Sequence, residues 1–308
     1  MTGRVHRASV ALAALWPMGV GLAVAHQEVD AMTTPVYLVL GATYVAVGVA
    51  LLRRLGLRRS DPCGVLAMAP VALFAVGGFT GAPSGRDPDL LLVNSAILVA
   101  VALALPLAAM VLLLRHRRSP AAGHAAIAIA LLLVGTAGYL VNLLGRFAVV
   151  LTGLEERQAR VEDHHWDASE YLRGLPPEAD PLAYLLTWMD LVQLAYVVTA
   201  FVAAAGLARL LSAEGALSAG VGRIVERCGW AFAGLLGGSV ALALTLPHGP
   251  AAVPAGLAFA LSIPFMTTLL PFAVAVDALR LRAGRELTGA DPRSVRPSRP
   301  GARSLPRP

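Results

Sequence analysis

The feature that most constrains this chain is a series of long apolar segments, each about the length that crosses a bilayer. A spanning helix needs ~20 predominantly apolar residues. Eight segments qualify, over roughly 8–25, 35–52, 62–82, 90–114, 121–144, 181–208, 229–246 and 251–276. No period-two alternation runs through them, so helices are expected and a transmembrane β-barrel is not. Apolar residues make up 57% of the chain and charged residues 14%, with a mean hydropathy of +0.68. Ordinary soluble domains carry about 25% charged residues. A water-soluble fold of this size has too little interior to hide so much apolar surface. The expected fold class is therefore all-α: a polytopic integral membrane helix bundle of about eight transmembrane helices. Residues 1–281 form one transmembrane domain in this reading, and residues 282–308 a disordered basic cytoplasmic tail.

The charges between the segments predict an orientation. Arginine collects on the cytoplasmic side of bacterial membrane proteins. Arg4 and Arg7 precede the first segment, and Arg53, Arg54, Arg58 and Arg59 follow the second. Arg115, Arg117 and Arg118 follow the fourth, and Arg209, Arg223 and Arg227 the sixth. Eight more lie between Arg280 and Arg307, which places 20 of the 25 basic residues on one side. The other side keeps Arg86, Arg146, Arg157, Arg160 and Arg173. It also holds most of the acids: Glu28, Asp30, Asp87, Asp89 and eight carboxylates between Glu155 and Asp180. Both termini are thus expected in the cytoplasm, and the protein in a bacterial plasma membrane. The net charge of +6 is accounted for by topology. It calls for anionic lipids at the cytoplasmic face and not for nucleic acid. Residues 1–25 also resemble a signal peptide ending in Ala23-Val24-Ala25, but an uncleaved first helix is the expected reading.

Composition excludes several chemistries. All 25 basic residues are arginine. Without lysine there is no lysine Schiff base, hence no retinal chemistry, and no phosphate-binding loop of the G-x-x-x-x-G-K-[ST] type. Cys63 and Cys228 are too few for a disulfide framework or a zinc ribbon. H-E-x-x-H, C-x-x-C and G-x-S-x-G are all missing. No cofactor is expected, and the chain leans away from being an enzyme.

Two groups of residues remain as candidates. The first is the outer loop 152–180. Leu154, Val161, Ala168, Leu172 and Leu175 recur at helical spacing until Pro176 and Pro177, which predicts an amphipathic surface helix. Asp163, His164 and Asp167 share a face by i, i+3 and i+4 spacing, with His165 beside them, and this set is the candidate metal site. In the same loop Glu155-Glu156-x-x-x-Arg160 resembles the glutamate motif of CAAX-type intramembrane proteases over six residues. Those enzymes set the motif in an apolar helix followed by F-x-x-x-H. Here the surroundings are charged and no histidine has a phenylalanine four residues before it, so no activity is carried over.

The second group lies within the spans, where polar residues are costly and mark function by default. Asp190 and Gln193 fall on the sixth segment, Arg146 at the end of the fifth with Asn142 one turn earlier, and Asn94 on the fourth. Arg146 and Asp190 are expected at matched depth on adjacent antiparallel helices, as an ion pair completed by Asn142. Asp277 is expected beside Arg280 at the inner boundary. Gly234 and Gly238 read as a helix-packing pair, and Pro106 and Pro271 as kinks or breaks within spans. The expected function is a small-molecule or ion permease, or the membrane subunit of a transporter with an unidentified partner subunit. The alternatives are a membrane enzyme or metal-handling protein with its site on the outer loop, and a scaffold or sensor subunit.

Overall fold

The computed structural model describes residues 61–70, 88–151, 181–245 and 266–288, with isolated positions 39, 46 and 50. Every regular element among them is helical. Residues 62–70 form α1. Then come α2 (Pro88–Arg115), α3 (Ala122–Leu151), α4 (Pro181–Ala213), α5 (Ala219–Thr245) and α6 (Met266–Thr288). Three of them contain stretches long and apolar enough to cross a membrane: Ser95–Arg115, Ala122–Gly145 and Leu191–Ala213. The first segment of the sequence reading, the second apart from positions 39, 46 and 50, and the loop 152–180 lie outside the described residues.

Local chemistry explains where the helices start and stop. Asp61 precedes Pro62, which suits a first helical position because it has no N–H to satisfy. The Asp61 carboxylate accepts the Cys63 N–H at 3.1 Å, and its backbone carbonyl accepts the Gly64 N–H at 2.8 Å. At the end of α4, Gly215 adopts φ +64. Its N–H donates to the Ser212 carbonyl, and the Ala216 N–H donates to the Leu211 carbonyl at 2.8 Å. That is the glycine-terminated helix end in which a left-handed residue closes the last turn. Ser218 then starts α5, its hydroxyl accepting the Val221 N–H at 3.4 Å.

Two helices extend beyond their apolar segments. α5 begins at Ala219, ten residues before the expected Gly229, and carries Arg223, Glu226 and Arg227 in its first turns. α6 continues to Thr288, past residue 282 where the sequence reading begins the tail. The physical reason is the same in both: hydropathy marks the part of a helix that lipid tolerates, while the backbone ladder runs on until a cap or breaker stops it.

Successive helices alternate in direction. Asp61, the 116–121 turn, the 213–218 turn and the C-terminal turns of α6 therefore meet at one arginine-rich end. α4 is central, with α3 and α5 packed along it and α6 packed more lightly on α4 and α5. Two buried apolar clusters hold the bundle. One sits near the arginine-rich end and joins Leu66, Leu105, Leu112, Leu207, Leu210 and Leu279. The other joins Leu132, Leu143, Val197, Phe201 and Leu236 further along. Phe201 and Phe232 meet with ring centroids 5.3 Å apart, tilted by 57°. The opposite faces stay apolar as well. Leu107, Leu114, Ile127, Val134 and Leu144 are all exposed, Val134 at 72%. Water would penalise such faces, whereas lipid solvates them.

Close approach along α4 depends on small residues. A Cβ on Gly229 of α5 would stand 2.7 Å from the Phe201 carbonyl oxygen and 2.9 Å from Ala205 Cβ. Gly234 and Gly238, expected to be the packing pair, meet no described atom within 4 Å. Among the described residues the close crossing of α5 on α4 falls at Gly229.

Candidate functional site

A seam of polar side chains runs through the apolar interior between α3, α4 and α6. α3 contributes Thr136, Tyr139 and Asn142 at i, i+3 and i+6, one stripe of a helix. α4 contributes Tyr196 and Thr199, with Gln193 one turn earlier. α6 contributes Thr267 and Thr268 from its first turn. Thr136, Tyr139, Asn142, Tyr196, Thr267 and Thr268 are all buried, Asn142 completely so at 0% exposure.

The seam is held by specific contacts. The rings of Tyr139 and Tyr196 stack with centroids 4.5 Å apart and planes 6° from parallel. Thr267 of α6 lies within hydrogen-bonding reach of the Tyr196 hydroxyl. The Asn142 side-chain amide donates to the Met189 carbonyl of α4, and Thr199 Oγ1 donates to the Tyr196 carbonyl at 2.8 Å. Among the described residues the Thr136 hydroxyl has no hydrogen-bond partner. In an apolar interior an unpaired hydroxyl is costly. The seam therefore retains hydrogen-bonding capacity that its own helices do not use.

Helix rise gives the depth of the seam. Tyr139 lies 17 residues into α3 from Ala122, and Tyr196 17 residues before Ala213. At 1.5 Å per residue each is ~26 Å from the arginine-rich end. Thr267 lies 15 residues before Arg282, or ~22 Å. The seam thus sits deep along a ~30 Å hydrocarbon path measured from that end. Its chemistry is hydroxyl and amide. Such groups can replace the hydration of a small polar solute or a monovalent cation, but they provide no nucleophile and base pair.

The arginine-rich end is a second polar region. Asp61, 5% exposed, is ion-paired with Arg282 of α6, and Arg115 Nη1 of α2 lies 4.0 Å from its other carboxylate oxygen. Asp277 of α6, 6% exposed, accepts the Ser218 backbone N–H at 2.7 Å and stands 4.0 Å from Arg280. Arg285 donates to the Gly215 carbonyl. His116 lies 3.8 Å from Glu214, and Arg209 3.9 Å from Glu226.

Of the expected site residues, Asn142 falls in the seam and Gln193 on the same helix as Tyr196. Asn94, Arg146 and Asp190 lie on α2, α3 and α4, but their side chains are outside the described set. His164, His165, Asp163 and Asp167 lie in the loop 152–180, outside the described residues. Among the described residues, no group of three or more histidine, cysteine or acidic side chains is placed to hold a metal ion. Asp277 and Arg280 are neighbours as expected, with Ser218 as a further partner. Reasoning from charge alone missed Tyr139, Tyr196, Thr267 and Asp61. The i, i+3, i+6 stripe of Thr136, Tyr139 and Asn142 was the available signal for the seam.

The fold and its polar seam define an all-α bundle with helices suited to crossing a membrane. Compared with known proteins, the chain matches no family model, no curated protein and no solved structure.

Proposed function

We propose that this protein is an eight-span integral protein of a bacterial plasma membrane, with both termini in the cytoplasm, and that it works as a small-molecule or ion permease or as the membrane subunit of one. The observation that carries the reading is the buried seam of Thr136, Tyr139, Asn142, Tyr196 and Thr267 at bilayer depth. Asn142 serves as a tie between α3 and α4, as polar residues often do in membrane bundles, but the Thr136 hydroxyl beside the stacked tyrosines, unpaired among the described residues, is left over for a solute. In this reading the seam lines the path or forms a binding step on it. The arginine-rich end faces the cytoplasm and the anionic lipids of the inner leaflet.

The test is a thermal-shift screen of the purified protein against monovalent cations and small neutral polar solutes, repeated on Thr267→Val. A ligand of the seam stabilises the wild-type chain in proportion to its concentration, and the stabilisation is lost in the variant. Stabilisation that survives Thr267→Val and Asn142→Leu alike would place binding elsewhere.

A further inference from the structure

We infer that the C-terminal turns of α6 form a releasable ionic latch that closes the arginine-rich end of the bundle and links it, through α6, to the polar seam. Over nine residues α6 reaches three other segments by polar contacts. Asp277 holds the first backbone N–H of the α5 start at Ser218. Arg282 pairs with Asp61 at the start of α1, where Arg115 of α2 also approaches. Arg285 holds the Gly215 carbonyl in the turn between α4 and α5.

Two observations make this a latch and not a permanent tie. Each acid is buried, but its arginine partners are half-exposed, so water can take over the arginine side when the contact opens. The body of α6 also packs on α4 and α5 more lightly than α3 and α5 pack on α4. Val274, Ala275 and Leu279 of α6 stay buried in the apolar cluster at that end, so opening is a small shift of the C-terminal turns and not a departure of the helix. Pro271 lies inside it and cannot donate to the Thr267 carbonyl, which weakens the ladder between the seam and the latch. Thr267 on one side of this weak point lies within hydrogen-bonding reach of Tyr196 in the seam, and Asp277 and Arg282 on the other make the latch. α6 can therefore bend at Pro271, with the seam contact on one side of the hinge and the latch on the other.

The idea that something passes when the latch opens rests on the transport reading. The opening itself does not, and it can be measured separately. Cys63 reports it: the thiol is 2% exposed, two residues from Asp61 and under the Arg282 contact. With Cys228→Ser as background, Cys63 is the only thiol. Maleimide labelling in proteoliposomes should be slow in that chain. Asp61→Asn keeps the helix cap, since asparagine caps as well as aspartate, but removes the charge. It should raise the labelling rate roughly tenfold or more, as should Arg282→Gln, because a buried charge pair has lost a member. Arg282→Lys should stay near the parent rate. Pro271→Ala, placed on the Asp61→Asn chain, should slow labelling again by stiffening α6. The unfolding temperature is measured for each variant, and labelling is read well below it, because loss of one member of a buried pair also lowers stability.

Unchanged labelling in both Asp61→Asn and Arg282→Gln would overturn the latch. So would labelling that rises only as the whole protein unfolds, since the contacts would then be structural ties. Fast labelling in a protein that binds no solute in the thermal-shift screen would leave the latch standing and remove the transport reading.

Discussion

Alanine at Gly229 and alanine at Gly234 should change stability in opposite directions, although the two positions are little more than one turn apart on α5. In both, alanine replaces the least helix-favouring residue after proline and returns ~1 kcal/mol of backbone entropy. At Gly234 nothing described lies within 4 Å of the new Cβ, so this gain stands alone. At Gly229 the new Cβ would lie 2.7 Å from the Phe201 carbonyl oxygen and 2.9 Å from Ala205 Cβ. Both belong to the rigid backbone side of α4 and cannot rotate away. Ordinary carbon contacts begin near ~3.5 Å, so α5 must retreat from Ala205 Cβ by about 0.6 Å at this crossing. The retreat loosens the cluster of Phe201, Ala233 and Leu236 that bridges the two helices. Inserting a methylene into a packed site of this kind costs ~1–3 kcal/mol. Against the helix gain, Gly229→Ala should lose up to ~2 kcal/mol and Gly234→Ala should gain up to ~1 kcal/mol. Their difference cancels propensity and equals the packing term. The assay is reversible denaturation in mixed detergent micelles, followed by helical circular dichroism. Equal stabilities of the two variants, or a stabilised Gly229→Ala, would refute the close crossing of α4 and α5.

Asn142→Leu removes the side-chain bond to the Met189 carbonyl and should lower stability by ~1 kcal/mol in the same assay; no change would mean that the bond contributes nothing. Arg146→Ala, Asp190→Ala and the double variant should show a coupling of at least ~0.5 kcal/mol, because the contacts between α3 and α4 bring the two backbones within about one turn of the same level; additive losses would show the residues to be independent. Reporter fusions after Arg118 and at Ala216 should read cytoplasmic and one near His164 should read external; a cytoplasmic signal at His164 would overturn the proposed topology.

The helices themselves were legible because a bilayer asks only for length and apolar content, and both are local properties. The fourth, fifth and sixth apolar segments correspond to α2, α3 and α4, and the turns that follow α2 and α4 are short. The ends of α5 and α6 were not legible from hydropathy. Ser218 could have been read as a cap, but the charged first turns of α5 resemble a loop when only lipid solubility is scored. The close crossing at Gly229 was not legible for a related reason. Gly229, Gly234 and Gly238 look alike in one dimension, and only the rotation of α5 against α4 decides which of them faces a neighbour.

The site was less legible, and the cause is energetic. Ranking residues by the cost of burying a charge selects Asp190 and Arg146 first, since a lone ion in hydrocarbon is the most expensive group a span can hold. Hydroxyl and amide groups cost less, so each of Thr136, Tyr139, Asn142, Tyr196 and Thr267 looks tolerable by itself. Their meaning comes from being brought together, and that depends on pairings far apart in the chain. Asn142 and Met189 are 47 residues apart, and Asp61 and Arg282 are 221 apart. The positive-inside rule had assigned Arg115 and Arg282 to one side without giving either a partner. A membrane surface crowded with arginine favours whatever buried acid can neutralise it from within. Asp61 and Asp277 fill that role because each also serves the start of a helix, Asp61 for α1 and Asp277 for α5. One carboxylate thus satisfies an exposed backbone N–H and an arginine at once. That double duty explains why two acids remain buried at the most basic end of the molecule.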